Sequence, residues 1–212
     1  MKTKTLIIDY GVGNLLSLTR ALEHVGSEVI VSDDHKKIDE ASHVILPGIG
    51  AFKKAVELLK NKKLDETIKK IIEKKKNFLG ICLGMQLLLN KSYEHGESEG
   101  LGIFDGDVKS IKAFKNSIDI KVPNIGWYNL QLEYEKKQFN IFKNINNKDN
   151  FYFVHSFMSD VKNDEEKNFS IQYSNLSIPA IISKNNVFGF QFHPEKSGKS
   201  GLKLLKNFTN LE

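Results

Sequence analysis

The chain has 212 residues, of which 40% are hydrophobic and 27% charged, and its formal net charge is +5. These values are typical of one globular domain and exclude a collagen-like, coiled-coil or disordered chain. The single cysteine excludes an internal disulfide framework, and no apolar run approaches the ~18 residues that a membrane-spanning helix needs.

The positive charge comes almost entirely from lysine, because Arg20 is the only arginine. Acidic residues are interspersed with the lysines, which is typical of a solvated surface and not of one that recognises bases through arginine. The N-terminal segment lacks the long apolar region and small-residue cleavage site of a signal peptide. We therefore expect a cytoplasmic protein that binds neither nucleic acid nor membranes.

The first ninety residues alternate short apolar runs with amphipathic helical patterns. The apolar runs predict strands over 5–9, 28–31, 43–46 and 78–81. The helical patterns predict a helix capped by Asn14 and others over 53–59, 64–73 and 83–89. Strands that alternate with helices indicate a parallel sheet, and ligands of such sheets bind at the carboxyl ends of the strands.

The second half differs, because strand-like segments follow one another with little helix between them. They cover 108–114, 130–134, 151–157, 169–173, 180–183 and 187–192, and a closing helix is predicted over 201–208. Several of these strands should pair antiparallel. The sequence thus predicts a single α/β domain, residues 1–212, with three layers: a mixed, mostly parallel central sheet and helices on both faces.

The glycines in residues 9–14, Asp-Tyr-Gly-Val-Gly-Asn, follow a strand and open a helix. A dinucleotide-binding loop would need a third glycine at position 16, which is Leu16, and no P-loop pattern is present. We interpret the segment as a tight turn that uses the backbone freedom of glycine.

Residues 80–84, Gly-Ile-Cys-Leu-Gly, place Cys82 between two glycines at the end of a strand. This is a nucleophile-elbow pattern with cysteine in place of serine, in which a sharp strand-to-helix turn exposes the nucleophile. A helix N-terminus next to the sulfur favours the thiolate, and the N–H of Leu83 would point toward a developing oxyanion. The alternative is a buried structural cysteine.

A base for this nucleophile is available in residues 189–195, Gly-Phe-Gln-Phe-His-Pro-Glu. His193 can take the thiol proton, and Glu195 can orient the imidazole and favour its charged form. Residues 47–50, Pro-Gly-Ile-Gly, end another predicted strand and can turn a second N–H toward the oxyanion. Each segment alone would be a surface turn or loop.

Taken in chain order, the segments at 47–50, 80–86 and 189–195 resemble the class I (triad) glutamine amidotransferases. Residues 8–15 and 189–197 resemble one branch, the glutaminase subunits of imidazole glycerol phosphate synthase, and the resemblance covers nearly the whole chain. It implies hydrolysis of L-glutamine to glutamate and ammonia with no cofactor or metal. The ammonia would pass to a (β/α)8-barrel cyclase in a heterodimer, which makes imidazole glycerol phosphate and an aminoimidazole carboxamide ribotide from PRFAR in histidine biosynthesis.

The resemblance also assigns roles to residues. It implies a catalytic triad of Cys82, His193 and Glu195 and an oxyanion hole formed at Leu83 and Gly50. It implies a glutamine-binding set of Gly48, Gln86, Glu94, His155 and Ser156. It places Asn14, Trp127 and Lys196 at the interface with the barrel.

Two segments depart from the family pattern. Residues 123–128 read Pro-Asn-Ile-Gly-Trp-Tyr where the family usually has Pro-His-Met-Gly-Trp-Asn, and Phe157 replaces a more usual tyrosine. Because the first segment should lie near the partner, a second pathway stays open, in which the barrel amidates a nucleotide-linked sugar for surface glycans. Two further hypotheses stay open as well: a stand-alone cysteine hydrolase and a non-catalytic, nucleic-acid-binding protein.

Overall fold

The computed structural model describes residues 4–114, 120–132 and 140–212. Its strands are β1 (Lys4–Ile8), β2 (Glu28–Ser32), β3 (His43–Leu46), β4 (Asn77–Ile81), β5 (Leu89–Ser92), β6 (Ser98–Glu99), β7 (Phe104–Ser110), β8 (Asn124–Asn129), β9 (Gln131–Leu132), β10 (Asn150–His155), β11 (Phe157–Val161), β12 (Lys167–Tyr173), β13 (Leu176–Lys184) and β14 (Val187–Phe190). Its α-helices are α1 (Leu15–His24), α2 (His35–Glu40), α3 (Phe52–Asn61), α4 (Leu64–Glu73), α5 (Leu83–Leu87) and α6 (Gly198–Thr209).

The central sheet has the strand order β2-β1-β3-β4-β14-β13-β12-β9. The first five strands pair in parallel, and the last three are added by antiparallel pairing. Two smaller sheets, β10-β8 and β11-β7-β5-β6, lie beside it. The prediction of a mixed, mostly parallel sheet is therefore confirmed.

Helices cover both faces of the central sheet, because its inner strands are apolar on both sides. Successive residues of β1 point to opposite faces, so that Ile7 packs in one core and Leu6 and Ile8 in the other. The first core includes helical residues of α1 and α6, namely Leu18, Leu22, Leu204, Leu205 and Phe208. The second includes residues of α2, α3 and α4, namely Ile38, Phe52, Leu59, Ile68 and Ile71. Among the described residues, no helix combines the length and apolar content needed to cross a membrane.

The helix after Cys82 is shorter than predicted. It ends at Leu87 and not at residue 89, because Leu89 already begins β5. The N–H of Leu101 binds the carbonyl oxygen of Leu87 at 2.8 Å, and that of Ile103 binds Leu88 at 2.8 Å, so neighbouring chain replaces the helical partners of these carbonyls. A run of three leucines carries no periodicity that could have indicated this change.

The predicted strand over 108–114 is displaced. The strand β7 begins at Phe104 and ends at Ser110, where the Ser110 hydroxyl accepts a hydrogen bond from the Lys112 N–H and caps a 3-10 helix, Ile111–Ala113. The Asp-Gly-Asp sequence at 105–107 is typical of a turn, yet Gly106 lies in the strand. A Cβ there would come within 2.4 Å of the Asp160 oxygen on β11, which explains the glycine.

Other boundaries in the second half also differ. The predicted strand over 151–157 is two strands, β10 and β11, separated at Ser156, and 180–183 lies in the second half of the longer β13. The strand β14 ends at Phe190 and not at residue 192. The predicted strand over 130–134 corresponds to β9, and its last two residues lie outside the described residues.

Candidate active site

Cys82 occupies the turn between β4 and α5, at the carboxyl edge of the central sheet. Its backbone has φ 54° and ψ −109°, which side-chain-bearing residues rarely adopt. A Cβ at Gly84 would lie 1.9 Å from the Leu46 oxygen, and one at Gly80 would lie 2.6 Å from the Gly84 oxygen. The flanking glycines are therefore required by the close approach of backbone, as the elbow pattern predicts. The Cys82 N–H donates to the Phe190 oxygen at 2.7 Å, which holds the turn against β14.

His193 and Glu195 lie beside this turn, shortly after β14. Nδ1 of His193 is 2.8 Å from Oε1 of Glu195, and each side chain is 4% exposed. Burial alone would lower the pKa of His193, but hydrogen bonds with Cys82 and Glu195, and the charges of both, raise it to about 10. The structure thus brings the three predicted triad residues together, with surroundings that favour an imidazolium next to the sulfur.

Tyr10 stabilises the carboxyl edge of the central sheet. Its place in a glycine-rich turn did not indicate this role. Its hydroxyl donates to the Pro47 oxygen at 2.9 Å. Burial, and then the charge of Cys82, raise the pKa of Tyr10 well above its ordinary value, so the side chain remains a neutral donor. Gly48 packs on the elbow, because a Cβ there would lie 2.8 Å from the Gly84 nitrogen and 2.9 Å from the Tyr10 hydroxyl.

A cavity of about 370 Å³ opens above the sulfur, within the size range of small-molecule sites. Its wall includes Cys82 and His193 of the triad, together with the predicted residues Gly50, Leu83, Gln86, Glu94, His155, Ser156 and Lys196. Gly48 is not part of this wall. Ile49 and Gly50 form that side of the cavity instead, and Gly50 has a φ of +92° that favours glycine.

Glu94 fastens the N-terminus of α3 to the cavity. Its Oε2 accepts a hydrogen bond from the Phe52 N–H at 2.6 Å, in a helix whose N-cap residue, Ala51, has no capping side chain. A carboxylate is favourable at this position, because the first N–H groups of a helix lack partners and carry partial positive charge. The same carboxylate places negative charge in the cavity wall.

His155 is held as a neutral imidazole by its surroundings. Burial, offset in part by the hydrogen bond to Phe157 and reinforced by the positive charge of His193, lowers the pKa of His155 to about 4. Nδ1 lies 2.8 Å from the Phe157 oxygen and therefore donates, and Nε2 accepts from the Asn124 side-chain amide at 3.0 Å. This second histidine is thus a fixed polar group and not a second base.

Gln86, in the cavity wall, is hydrogen-bonded to the buried Gln191 behind it. Nε2 of Gln86 donates to the Phe157 oxygen and to Oε1 of Gln191, both at 3.1 Å, and Nε2 of Gln191 lies 3.8 Å from the Cys82 sulfur. Gln191 was missed by the sequence analysis. A signal was available, since residues two apart on an extended segment face the same side, and Gln191 precedes His193 by two.

The residues predicted at the partner interface lie around the same edge. Asn14 caps α1, accepting from the Ser17 N–H at 3.3 Å, and lines a small crevice together with Pro47, His193 and Glu195. Trp127 is 54% exposed and lies 5.7 Å, between ring centroids, from Tyr152, whose oxygen accepts the His193 N–H. Large exposed apolar side chains in these segments are Leu16, Ile49, Ile125 and Trp127. Within ranges 4–114, 120–132 and 140–212 no group of three or more potential ligands could hold a metal ion.

The family model of glutamine amidotransferase class-I matches residues 6–211. The chain therefore belongs to the class-I glutamine amidotransferase family, as predicted. Curated relatives that match almost its whole length are imidazole glycerol phosphate synthase subunits HisH. That of Caldanaerobacter subterraneus subsp. tengcongensis is 46% identical over 202 residues, 95% of each chain. That of Aquifex aeolicus is 45% identical over 206 residues, 97% of this chain and 95% of the relative.

Solved structures show the same fold at lower sequence identity. PurLQS from Thermotoga maritima has a TM-score of 0.72 at 22% identity and covers 99% of both chains. A crystal structure of a glutamine amidotransferase has a TM-score of 0.71 at 16% identity, covering 97% of this chain and 99% of that one. The predicted fold class is thereby confirmed.

Proposed function

We propose that this protein is the glutaminase subunit of an imidazole glycerol phosphate synthase. The observation that carries the proposal is the buried set Cys82, His193 and Glu195 at the base of a cavity that also contains Gln86 and Glu94. The names of the HisH relatives support this branch over the glycan pathway. The bond that breaks is the carbon–nitrogen bond of the side-chain amide of L-glutamine, and a single domain over 1–212 carries the activity.

The triad performs the reaction in two steps. The Cys82 thiolate attacks the side-chain carbonyl carbon of glutamine, and the oxyanion forms near the N–H groups at Leu83 and Gly50. His193 gives its proton to the departing nitrogen, so that ammonia leaves and a thioester remains. His193 then takes a proton from water, whose oxygen attacks the thioester, and glutamate leaves as the Cys82 thiolate is restored beside the protonated imidazole. Glu195 keeps the imidazole in place throughout.

The rest of the cavity binds the amino-acid end of glutamine. The carboxylate of Glu94 attracts the α-ammonium group, since opposite charges are stabilised where water is partly excluded. Gln86 and Ser156 supply neutral hydrogen-bonding groups, and His155 adds a polar but uncharged side chain to the cavity wall. His155 suits this role because its lowered pKa keeps it uncharged at neutral pH, so it does not compete with His193 for the reaction's protons.

The ammonia passes to a cyclase partner. Large exposed apolar side chains occur at Leu16, Ile49, Ile125 and Trp127, and Ile49 lines the cavity that contains the sulfur. Exposed apolar surface is typical of protein interfaces. We infer that the partner is a (β/α)8 barrel that forms a heterodimer with this chain in the cytoplasm, near Asn14, Trp127 and Lys196. It would use the ammonia to make imidazole glycerol phosphate and an aminoimidazole carboxamide ribotide from PRFAR.

The test compares wild-type protein with Cys82→Ala, each mixed with the cyclase subunit and its acceptor, and measures glutamate release. We expect release to fall at least about a thousandfold in the variant, because no other side chain can form the thioester. Wild-type release by Cys82→Ala would overturn the proposal. Stimulation by a sugar-amidating barrel instead of the cyclase would favour the glycan pathway, and peptide hydrolysis without ammonia release would favour a stand-alone hydrolase.

A further inference from the structure

A buried glutamine connects the nucleophile to the wall of the cavity. Gln191 follows β14 directly, is 0% exposed, and donates its main-chain N–H to the Ala180 oxygen at 2.9 Å. Its side-chain oxygen binds Gln86 and its side-chain nitrogen faces the Cys82 sulfur. A buried amide is costly unless both ends find partners, and here both partners belong to the candidate active site.

The direction of the Gln191 amide follows from one backbone carbonyl. The Phe157 oxygen can only accept hydrogen bonds, and it accepts from Nε2 of Gln86 at 3.1 Å. Gln86 therefore turns its amino group toward both Phe157 and Gln191. Gln191 must then present its oxygen to Gln86, which leaves its own amino group directed at the Cys82 sulfur at 3.8 Å.

An N–H group aimed at the sulfur favours the thiolate over the thiol, because an anion is the stronger acceptor. His193 provides a donor on the same sulfur, but its proton is needed by the departing ammonia. The side-chain amide of Gln191 does not lose its proton near neutral pH, so its N–H group stays a hydrogen-bond donor through the whole reaction. Two donors of different kinds would thus hold the sulfur, one that moves its proton and one that does not.

We propose that Gln191 is a positioning residue that, held in direction by Gln86, stabilises and orients the Cys82 thiolate through its side-chain amide. This inference rests on the proposed function, in which Cys82 is the nucleophile. Gln191 is not among the residues that line the cavity, so its effect on glutamine is indirect.

The experiment measures the pH dependence of Cys82 alkylation by iodoacetamide in the full chain. Because Cys82 is the only cysteine, the rate reports on this sulfur alone. Gln191→Leu removes the donor, and we expect the midpoint of the pH profile to rise by at least about half a unit. Gln191→Glu places a carboxylate beside the sulfur and should raise it further. Gln172→Leu, at an exposed glutamine of β12, is the matched control and should keep the wild-type midpoint.

A wild-type midpoint in Gln191→Leu would overturn the inference. If circular dichroism shows that Gln191→Leu does not fold, the nearly isosteric Gln191→Glu provides the test. An unchanged alkylation midpoint in Gln191→Glu would equally contradict the inference. In glutamine hydrolysis with the cyclase, we expect Gln191→Leu to lower kcat about tenfold with little change in KM. Hydrolysis by Cys82→Ala would defeat the proposed function, whereas the alkylation midpoints would still decide the role of Gln191.

Discussion

Cys82 is the residue on which the geometry of the site converges. Its backbone conformation costs roughly 1–3 kcal/mol for a residue with a side chain, and such strain persists only where neighbours fix it. Here the neighbours are the Phe190 oxygen, which binds the Cys82 N–H, and Gly84, which lies against Leu46. The strained turn places the sulfur next to His193.

His155 predicts a loss of stability in acid. Its pKa is about 4 in the folded protein, below the ordinary value of 6.5 that applies when the chain is unfolded. Between these pH values the unfolded state binds more protons than the folded state. The stability that comes from keeping His155 neutral is therefore fully present above pH 6.5 and is lost as the pH falls toward 4. We expect this residue to remove up to about 3 kcal/mol from the free energy of unfolding over that window, measured by urea denaturation.

The control for this prediction is His155→Gln. His43 also has a pKa lowered by burial, so the wild-type protein alone would not isolate one histidine. The free energy of unfolding of His155→Gln should depend less steeply on pH between 6.5 and 4 than that of the wild type. Equal slopes in the two proteins would contradict the assignment of a buried neutral imidazole at position 155.

At the scale of elements, the periodicity of apolar residues determined which helices and strands could be predicted from the sequence. The strand over 43–46 and the helix over 64–73 match β3 and α4 to the residue, because continuous apolar runs and amphipathic patterns are strong signals. The strands β5, β6 and β8 were not predicted as such. They are short or polar, and pairing partners far along the chain define them, as when β8 pairs with β10.

The candidate site also has parts that could be predicted from the sequence and parts that could not. The Cys82 elbow and the His193 segment were predictable, because glycines and chemically active residues occur there at fixed local spacings. The support from Tyr10 was not, because it acts through a contact with the distant Pro47. The spacing of Gln191 and His193 was a usable signal, but it did not reveal the contact of Gln191 with Cys82. Local sequence carries the chemistry of this site, whereas the packing that orients it depends on tertiary structure.

Glu94 binds the N-terminus of α3 and is proposed to bind the α-ammonium group of glutamine, and two variants separate these roles. Glu94→Gln keeps an oxygen for the Phe52 N–H but loses the charge, whereas Glu94→Ala loses both. We expect both to raise the KM for glutamine at least about tenfold, because the α-ammonium loses its partner. Only Glu94→Ala should also lower the free energy of unfolding clearly, by about 1 kcal/mol, through loss of the cap on α3. A wild-type KM in both variants would contradict the role in glutamine binding.

For the whole molecule, the active edge is assembled from segments that also carry exposed apolar side chains, such as Ile49 in the cavity wall. The carboxyl ends of β1, β3, β4 and β14 bring together the segments that carry Asn14, Ile49, Cys82 and His193. Parallel strands with crossover helices collect such segments at one edge of the sheet, from different parts of the chain. A partner that covers this edge would therefore also cover the place where ammonia is released, which explains how one surface can serve both catalysis and transfer.

The most direct test of the central claim, that Cys82 is the nucleophile of a glutamine site, is covalent labelling by an electrophilic glutamine analogue. Intact-mass spectrometry of the wild-type chain should show one adduct, mapped to Cys82, whose formation excess L-glutamine prevents. Labelling should be much slower in His193→Gln, which cannot supply the charged imidazole. Absence of an adduct on Cys82, or labelling that glutamine does not slow, would contradict the account.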